Sequence, residues 1–464
     1  MLNQNHSVLT SAYLILDFGL LLFYSCTYLI CTDNISTDQS TGDAVQINNF
    51  LLQIKDRFKK IPNHDNRSKI GTRDLVTTLV FCFSRDRGDY KSLSCIKKFV
   101  QATLNAPLSR GGFWERLATK KLEKTFEKLV ASMVKTFAKK LTITIELLKI
   151  LNVNAILLLD SSSSSLPKSA KKNFPAPRNN VAPAAIKLHL CFDLFAGAVN
   201  WFLLTPATTH DRKGFPPLQS IVGKLIIFDL GYWDYGLLND IKQIGGFFLT
   251  RVKNKAQIKI IEVIRGLPKK QFTNWGLFDR KLPDKNNKII EILGQFSQNS
   301  KPLFTARIIG FWNPIKQRYH WYTTNLTVSA DFIYPLYRLR WQVELVFKAF
   351  KGCLRLADLP TANSKIIHVL VYAAIVATMI AHPIANILAL EFKKEKLMTP
   401  SLQRAGMILV HCAKEFIQFL ISKTNSCAGL IDKLNLLKNE IFDPNWKKRE
   451  TSLARLIRMA DSCV

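Results

Sequence analysis

Two apolar runs in this chain stop on an aspartate, and that repetition constrains the fold more than any other feature. Ala155-Ile-Leu-Leu-Leu159 ends in Asp160 and a run of serines, and Leu225-Ile-Ile-Phe228 ends in Asp229. Short, continuous, branched apolar runs read as strands buried on both faces, as in the parallel part of an α/β sheet. Each such strand delivers a carboxylate at its C-terminal end. Between them Ile186 to Asp193 and Val199 to Thr205 alternate about Ala196-Gly197-Ala198, which predicts a hairpin, and Phe215 to Val222 reads as a crossover helix into the second strand. Tyr232 to Ile244 then reads as a helix, and Gly246 to Val252 as a strand with Arg251 near its end.

A third acid comes from Tyr337 to Lys351, whose apolar spacing predicts one helix. At 100° per residue, Arg340, Lys351, Glu344, Tyr337 and Lys348 share roughly 80° of its circumference, while Val343, Val346, Ala349 and Phe350 lie on the other side. A single carboxylate ringed by cations and a phenol suits work on phosphates. An exposed face laced by Arg340–Glu344 and Glu344–Lys348 pairs would look the same, so the helix alone does not decide. Each aspartate alone also reads as a turn or cap residue. The three together are different: convergent carboxylates repel and raise one another's pKa, so grouping them makes sense mainly around a cation. Oxygen ligands of this kind suit Mg²⁺, with Mn²⁺ as its substitute, and a pair of such ions can serve in-line displacement at phosphorus.

The charge balance supports a polyanionic partner. Lys and Arg number 65 against 34 Asp and Glu, a net charge of +31 spread along the chain. Nucleic acid is the commonest such partner, with an anionic membrane surface as the rival. The nine cysteines include no C-x-x-C pair, which argues against structural zinc and for reduced thiols in the cytoplasm.

Residues 1–45 hold an apolar run, Ala12 to Cys31, broken by Asp17 and long enough to cross a bilayer. It reads as a membrane or signal segment, as a non-native upstream extension of the reading frame, or as a buried helix. Residues 46–151 read as a helical, basic, DNA-binding region, with helices around Asn48–Lys60, Thr72–Ser84, Ser92–Leu104 and Thr119–Leu148 and a candidate helix-turn-helix in Ser92 to Arg116. Residues 255–325 turn strand-like, at Ile258–Val263, Lys288–Leu293, Thr305–Phe311 and Gln317–Asn325. Ile366 to Leu390 is nearly apolar enough for a membrane span, but His368, His382 and Pro383 interrupt it and a buried core helix is the better reading. Residues 401–464 read as a helical, basic tail with Leu453, Leu456 and Ile457 on one stripe.

Tyr337-x-x-Arg340-x-x-x-Glu344-x-x-x-x-x-x-Lys351 reproduces the Y-x(2)-R-x(3)-E-x(6)-K signature, and from about Asn152 to Leu390 the chain resembles the DDE transposases of the insertion sequence four family. Leu-Leu-Leu-Asp160-Ser, Lys187-Leu-His-Leu-Cys-Phe-Asp193, His210-Asp211, Phe228-Asp229-Leu-Gly-Tyr232, Thr250-Arg251 and Thr324-Asn325-Leu326 are similar as well. The resemblance implies an α/β fold with an RNase H-like catalytic core in two parts, 152–254 and 326–400, separated by a β-rich insertion at 255–325. It implies Asp160, Asp229 and Glu344 as the catalytic, metal-binding triad. Tyr337, Arg340 and Lys351 would contact DNA phosphates near the transposon end, with Lys348 and Arg251 at further backbone-contacting positions. An insertion-domain tryptophan holds a flipped base in the family, which points to Trp321 or Trp312, although strand packing accounts for either. The partners implied are double-stranded DNA, both element ends and target, and a second copy of the chain in a homodimer, with no small-molecule cofactor. The activity implied is transposition: cleavage of the strand at the element end by water, then joining of the freed 3′-OH to target DNA, in the cytoplasm at the nucleoid. The apolar leader and the serine run depart from the family pattern. Two rivals are a non-catalytic DNA-binding protein derived from a transposase and a basic protein anchored in a membrane by residues 12–31.

Overall fold

A computed structural model describes residues 39–63, 69–82, 92–140, 146–177, 182–194, 198–254, 256–274, 276–278, 289–298, 301–352, 359–391, 406, 409, 411–441, 456 and 459. The apolar leader, Leu453 and Ile457 lie outside them.

The centre is a nine-stranded mixed sheet. Its strands are β1 (Ile156–Ser165), β2 (Ala185–Asp193), β3 (Ala198–Pro206), β4 (Leu225–Phe228), β5 (Phe247–Arg251), β6 (Ile258–Arg265), β7 (Ile289–Gln298), β8 (Lys301–Asn313) and β9 (Arg318–Thr324), and their spatial order is β3-β2-β1-β4-β5-β9-β8-β7-β6. β1, β4 and β5 run parallel, and every other pairing is antiparallel. Two-sided burial explains the apolar runs: alternate residues of β1 and β4 enter one core with Ile156, Leu158, Leu225 and Ile227, and another with Leu157, Leu159, Ile226 and Phe228. The four strands of 255–325 continue this same sheet, because β9 pairs with β5 through Leu249–Thr324, Thr250–Thr323 and Arg251–Tyr322.

Three expectations are corrected. First, β1 does not stop at Asp160. Its parallel pairing to β4 ends at Leu159–Phe228, but Ser161 to Ser165 stay paired with Ala185 to His189 of β2. A ladder is built from backbone groups, so a serine run serves it as well as an apolar one. Second, no helix forms over Phe215 to Val222. Pro216 and Pro217 lack backbone donors, and the crossover passes instead through 3-10 turns at Asp211–Gly214 and Leu218–Ile221. Third, the helix of the signature is two helices, described below.

The helices before the sheet are α1 (Gln39–Lys59), α2 (Thr72–Val80), α3 (Leu93–Leu104), α4 (Arg110–Leu117), α5 (Lys120–Lys140) and α6 (Glu146–Leu151). Ser92 and Ser109 cap α3 and α4 by accepting from the amides of Cys95 and Gly112, and Asn105 ends α3 in the left-handed region at φ 46°. Within and after the sheet come α7 (Tyr235–Gln243), α8 (Lys269–Phe272), α9 (Ala330–Arg338), α10 (Trp341–Gly352), α11 (Ser364–Glu391), α12 (Ala413–Ile421) and α13 (Ala428–Leu437). The apolar helix α11 runs on through His368, His382 and Pro383. It is long and apolar enough to cross a membrane, yet 72% of its most apolar window is buried inside the protein, against α1, α2, α5 and β3. It is a core helix. The fully buried Lys55 of α1 ties the C-terminal helices to it, donating to the carbonyls of Phe419 and Thr424 and to Ser422 Oγ.

Candidate active site

The parallel register sets two of the acids. Because Leu159 pairs with Phe228, the next residues, Asp160 and Asp229, stand side by side on adjacent strands. Strands in that relation lie about 4.8 Å apart. The alternation of β1 and β4 turns both acids to the face that carries α9 to α11.

The signature segment arrives on that face from β9. Asn325 pins its start, accepting from the Phe248 amide at 2.8 Å and donating to the Gly246 carbonyl at 2.8 Å, while Thr324 Oγ1 donates to the Phe248 carbonyl. Arg307 of β8 donates to the carbonyls of Leu326 and Val328 and, with both Nε and Nη2, to Glu291 Oε1, at 2.9 and 2.6 Å. The chain then turns from α9 into α10. The amides of Leu339, Arg340, Gln342 and Val343 donate to carbonyls three residues back, so the backbone tightens and changes direction at Leu339–Arg340. Leu339, fully buried, holds the corner. A single straight helix would have left Tyr337 on one stripe with Glu344; the corner places them on separate helices, with Tyr337 reaching Asp229 and Glu344 meeting Arg340.

Tyr337 Oη donates to Asp229 Oδ1 at 3.3 Å. Arg340 Nη1 donates to Asp160 Oδ2 at 2.8 Å, and its Nη2 to Glu344 Oε1 at 2.6 Å. One guanidinium therefore holds an oxygen from each of two acids 184 positions apart in the sequence. Burial pushes Asp160 up to about 6; Arg340 and the Ser161 amide pull the other way, and the nearby charges of Glu344 and Asp229 add to the rise. Burial, and after it the charge of Asp229, holds the Tyr337 phenol protonated well above its ordinary range.

The expected common cation pocket is thus filled by a side chain. Among the described residues no three Asp, Glu, His or Cys side chains already stand as one metal's ligands. The donor set still fits a hard divalent ion, being oxygen throughout, and the charge that such an ion would bring is supplied here by Arg340.

The other expected residues lie as follows. Arg251 is half-buried at the end of β5, opposite Tyr322, whose ring packs at a tilt on that of Tyr337, with centroids 4.8 Å apart. Lys348 and Lys351 are exposed on α10, with Lys348 Nζ 5.6 Å from the Trp341 ring. Trp321 packs on Gly310 of β8 and beside Tyr319 at 5.5 Å, with the core on the sheet face away from the acids, and Trp312 packs against Tyr319 at 5.1 Å. The structure does not bring either tryptophan to the acids.

A second polar group went unassigned in the sequence. Asp211 Oδ1 accepts from Ser161 Oγ at 2.9 Å and from Lys187 Nζ at 3.0 Å, and Lys187 also donates to the Thr209 carbonyl at 2.7 Å. Next to it the buried His189 lies between Tyr232 Oη at 3.2 Å and Thr205 Oγ1 at 3.0 Å, and burial lowers its pKa to about 4. His210-Asp211 and Lys187-x-His189 were visible as text similar to the family, but nothing in their spacing gave a role.

Residues 152–380 match the family model described as the transposase DDE domain. The chain is 24% identical to the transposase for insertion sequence element IS231E of Bacillus thuringiensis subsp. finitimus, over 55% of this chain and 62% of that protein. It is 22% identical to the IS231F transposase of B. thuringiensis subsp. israelensis, over 78% of this chain and 83% of that one, and 21% identical to the IS1151 transposase of Clostridium perfringens, over 66% and 73%. Among solved structures, a piggyBac transposase synaptic complex with hairpin DNA aligns over 92% of this chain and 87% of its own, at 11% identity and a TM-score of 0.41, too low to add to the case. Residues 152–380 are therefore similar to a transposase DDE domain, and the relatives that match over most of the chain are insertion-sequence transposases.

Proposed function

We propose that this chain is the transposase of an insertion sequence: it binds the terminal inverted repeats of its own element and catalyses metal-dependent strand cleavage and strand transfer. The observation that carries the reading is the meeting of Asp160, Asp229 and Glu344, from two adjacent parallel strands and a helix more than a hundred residues further on, around Arg340 and Tyr337. The order β3-β2-β1-β4-β5, with only β1, β4 and β5 parallel, supports an RNase H-like core whose sheet is prolonged by β6 to β9.

Asp160, Asp229 and Glu344 are the residues that would hold divalent ions. Bound there, Mg²⁺ or Mn²⁺ supplies the positive charge that offsets the developing charge on attacking and leaving oxygens. The protein does the rest. Tyr337 and Arg340 orient Asp229, Asp160 and Glu344, and Arg340 carries a guanidinium that can pass from carboxylate to DNA phosphate, since both present paired oxygens to its fork. Lys348 and Lys351, exposed on α10, and Arg251, near enough to Tyr337 to act on its phenol, are the cations that would contact the DNA backbone. In the first step water attacks the phosphorus at the element end and the strand leaves as a 3′-OH. In the second that 3′-OH attacks a phosphodiester of the target, one bond forming as one breaks. Work on two ends suits two copies of the chain, and the net charge of +31 suits DNA.

In Glu344→Gln, Mg²⁺-dependent nicking of a duplex carrying the element end should fall at least a thousandfold while duplex binding in EDTA stays within about twofold, a loss on the scale of removing one catalytic group that acts in a unit. Nicking at the wild-type rate would remove Glu344 from the triad.

A further inference from the structure

We propose that Asp211 is a positioning residue that sets the spacing of Asp160 and Asp229 for a divalent cation, a role that rests on the metal-dependent reading above. Its carboxylate stands between the backbones that follow the two acids. On one side it accepts from the hydroxyl of Ser161, the residue after Asp160, at 2.9 Å. On the other it presses on Gly231, two residues after Asp229: a Cβ on that glycine would lie 2.6 Å from Asp211 Oδ2. Gly231 is not among the residues with positive φ, so its lack of a side chain serves the approach of the carboxylate and not an unusual backbone.

The carboxylate is itself pinned. Lys187, on β2, donates to Oδ1 at 3.0 Å and to the Thr209 carbonyl at 2.7 Å, which fixes both the side chain and the turn that carries it. Lys187 is 14% exposed and Asp211 27%, so the pair is partly shielded from water. The pairing Ser163–Lys187 places Lys187 on the strand that β1 continues beside after it has left β4. This gives the continuation of β1 through the serine run a purpose: it carries Ser161 to Asp211. The strands bearing the two acids are hydrogen-bonded to each other only as far as Leu159–Phe228, one residue short of the acids. Beyond that point Asp211 is the side chain that spans them. An acid in this position touches no reacting atom; it acts through the backbone of Ser161 and Gly231.

The test is Mn²⁺ binding by full-length, metal-free protein, read from the loss of the free-ion electron paramagnetic resonance signal, with thermal unfolding and binding of a random-sequence duplex in EDTA as controls. Asp211→Ala should weaken Mn²⁺ at least tenfold with duplex binding unchanged, the scale of losing a group that orients a metal's ligands. Ser161→Ala should weaken it less, about threefold, because the carboxylate stays held by Lys187. Gly231→Ala should weaken Mn²⁺ in the wild-type background and have no further effect in the Asp211→Ala background, because the added methyl then meets only the Cβ that remains at position 211, at an ordinary contact distance of 3.4 Å. Should Asp211→Ala fail to fold, Ser161→Ala and Gly231→Ala carry the test. Wild-type Mn²⁺ affinity in Asp211→Ala or in the two other single variants, or an equal effect of Gly231→Ala in both backgrounds, overturns the positioning role. Asp160→Asn separates the two readings: if it abolishes Mn²⁺ binding while the Asp211 variants do not, only the positioning role fails, and if it leaves Mn²⁺ binding intact the cation site itself fails.

Discussion

Arg340→Gln should make the free protein less stable at pH 8 and, at the same time, a better binder of Mn²⁺. The side chain is 14% exposed and donates to two carboxylates that are 20% and 27% exposed. Hydrogen bonds to charged groups contribute about 1.5–3 kcal/mol each, and removing one partner of a shielded ion pair costs about 3–5 kcal/mol. The partial exposure argues for the lower end, about 3 kcal/mol. With an unfolding entropy of about 2.1 cal/mol/K per residue over 464 residues, that lowers Tm by about 3 °C. The pH dependence follows from Asp160, which burial raises to about 6 in the presence of Arg340. A carboxyl raised above its unfolded value binds protons more readily when folded, so its cost is absent below about 4 and is reached in full as pH rises through the folded pKa. Losing Arg340 moves that folded value higher still. The Tm deficit should therefore be largest at pH 8 and shrink by pH 5. Mn²⁺ relieves the same repulsion and meets no guanidinium in the variant, so millimolar Mn²⁺ should raise the variant's Tm by more than the wild type's; at a hundred times its Kd the ion stabilises the variant by about 2.7 kcal/mol, or about 3 °C over 464 residues. Scanning fluorimetry at pH 5 and 8, with and without Mn²⁺, reads all of this. Equal Tm values for variant and wild type at pH 8 without metal, or an equal gain on adding Mn²⁺, would refute the idea that Arg340 stands in for the cation.

Lys351→Ala should weaken binding to the element end and reduce the slope of log affinity against log salt by about one, as loss of one phosphate contact does; an unchanged slope removes that contact. Arg307→Ala leaves Glu291, the Leu326 carbonyl and the Val328 carbonyl without their shared donor and should cost about 3 kcal/mol in thermal unfolding, with nicking reduced further than duplex binding because α9 loses its anchor. Gly310→Ala puts a methyl within 2.5 Å of the Trp321 ring and should lower stability by about 1–3 kcal/mol, while Mn²⁺ affinity stays unchanged because Trp321 lies on the far face of the sheet.

What could be read from the sequence was what local pattern encodes. The strands Leu157 to Leu159 and Leu225 to Phe228 are buried on both faces, so their composition announces them, and the acids that follow them stand out by contrast. The strands β2 and β3 alternate in sequence, and they pair antiparallel as expected. The serine run gave no such signal. Its strand state comes from pairing with Ala185 to His189, which no property of serine foretells. The corner between α9 and α10 was hidden for a similar reason: a 3.6-residue period extends smoothly across Leu339, and the turn there is set by partners such as Asp160, 180 residues away. Asp211 showed in the sequence only as text similar to the family and without a role, because its neighbours Ser161, Lys187 and Gly231 come from three separate segments.

The same distinction explains why the acids meet around a guanidinium and not around empty space. Carboxylates brought together repel one another, and Asp160, raised first by its burial, is raised further by the charges of Glu344 and Asp229. A protein that folds before it meets metal and DNA has to offset that repulsion with a charge of its own. Lysine would bring one compact charge; arginine brings a planar fork that binds an oxygen of Asp160 and an oxygen of Glu344 at once. The extension of the sheet into β6 to β9 then has a direct bearing on the site. Arg307 of β8 and Asn325 just after β9 fix where α9 begins, hence where Tyr337 and Arg340 point. A change as far from the acids as the Arg307–Glu291 pair therefore acts on them through one short path, from β8 to the start of α9 to the corner.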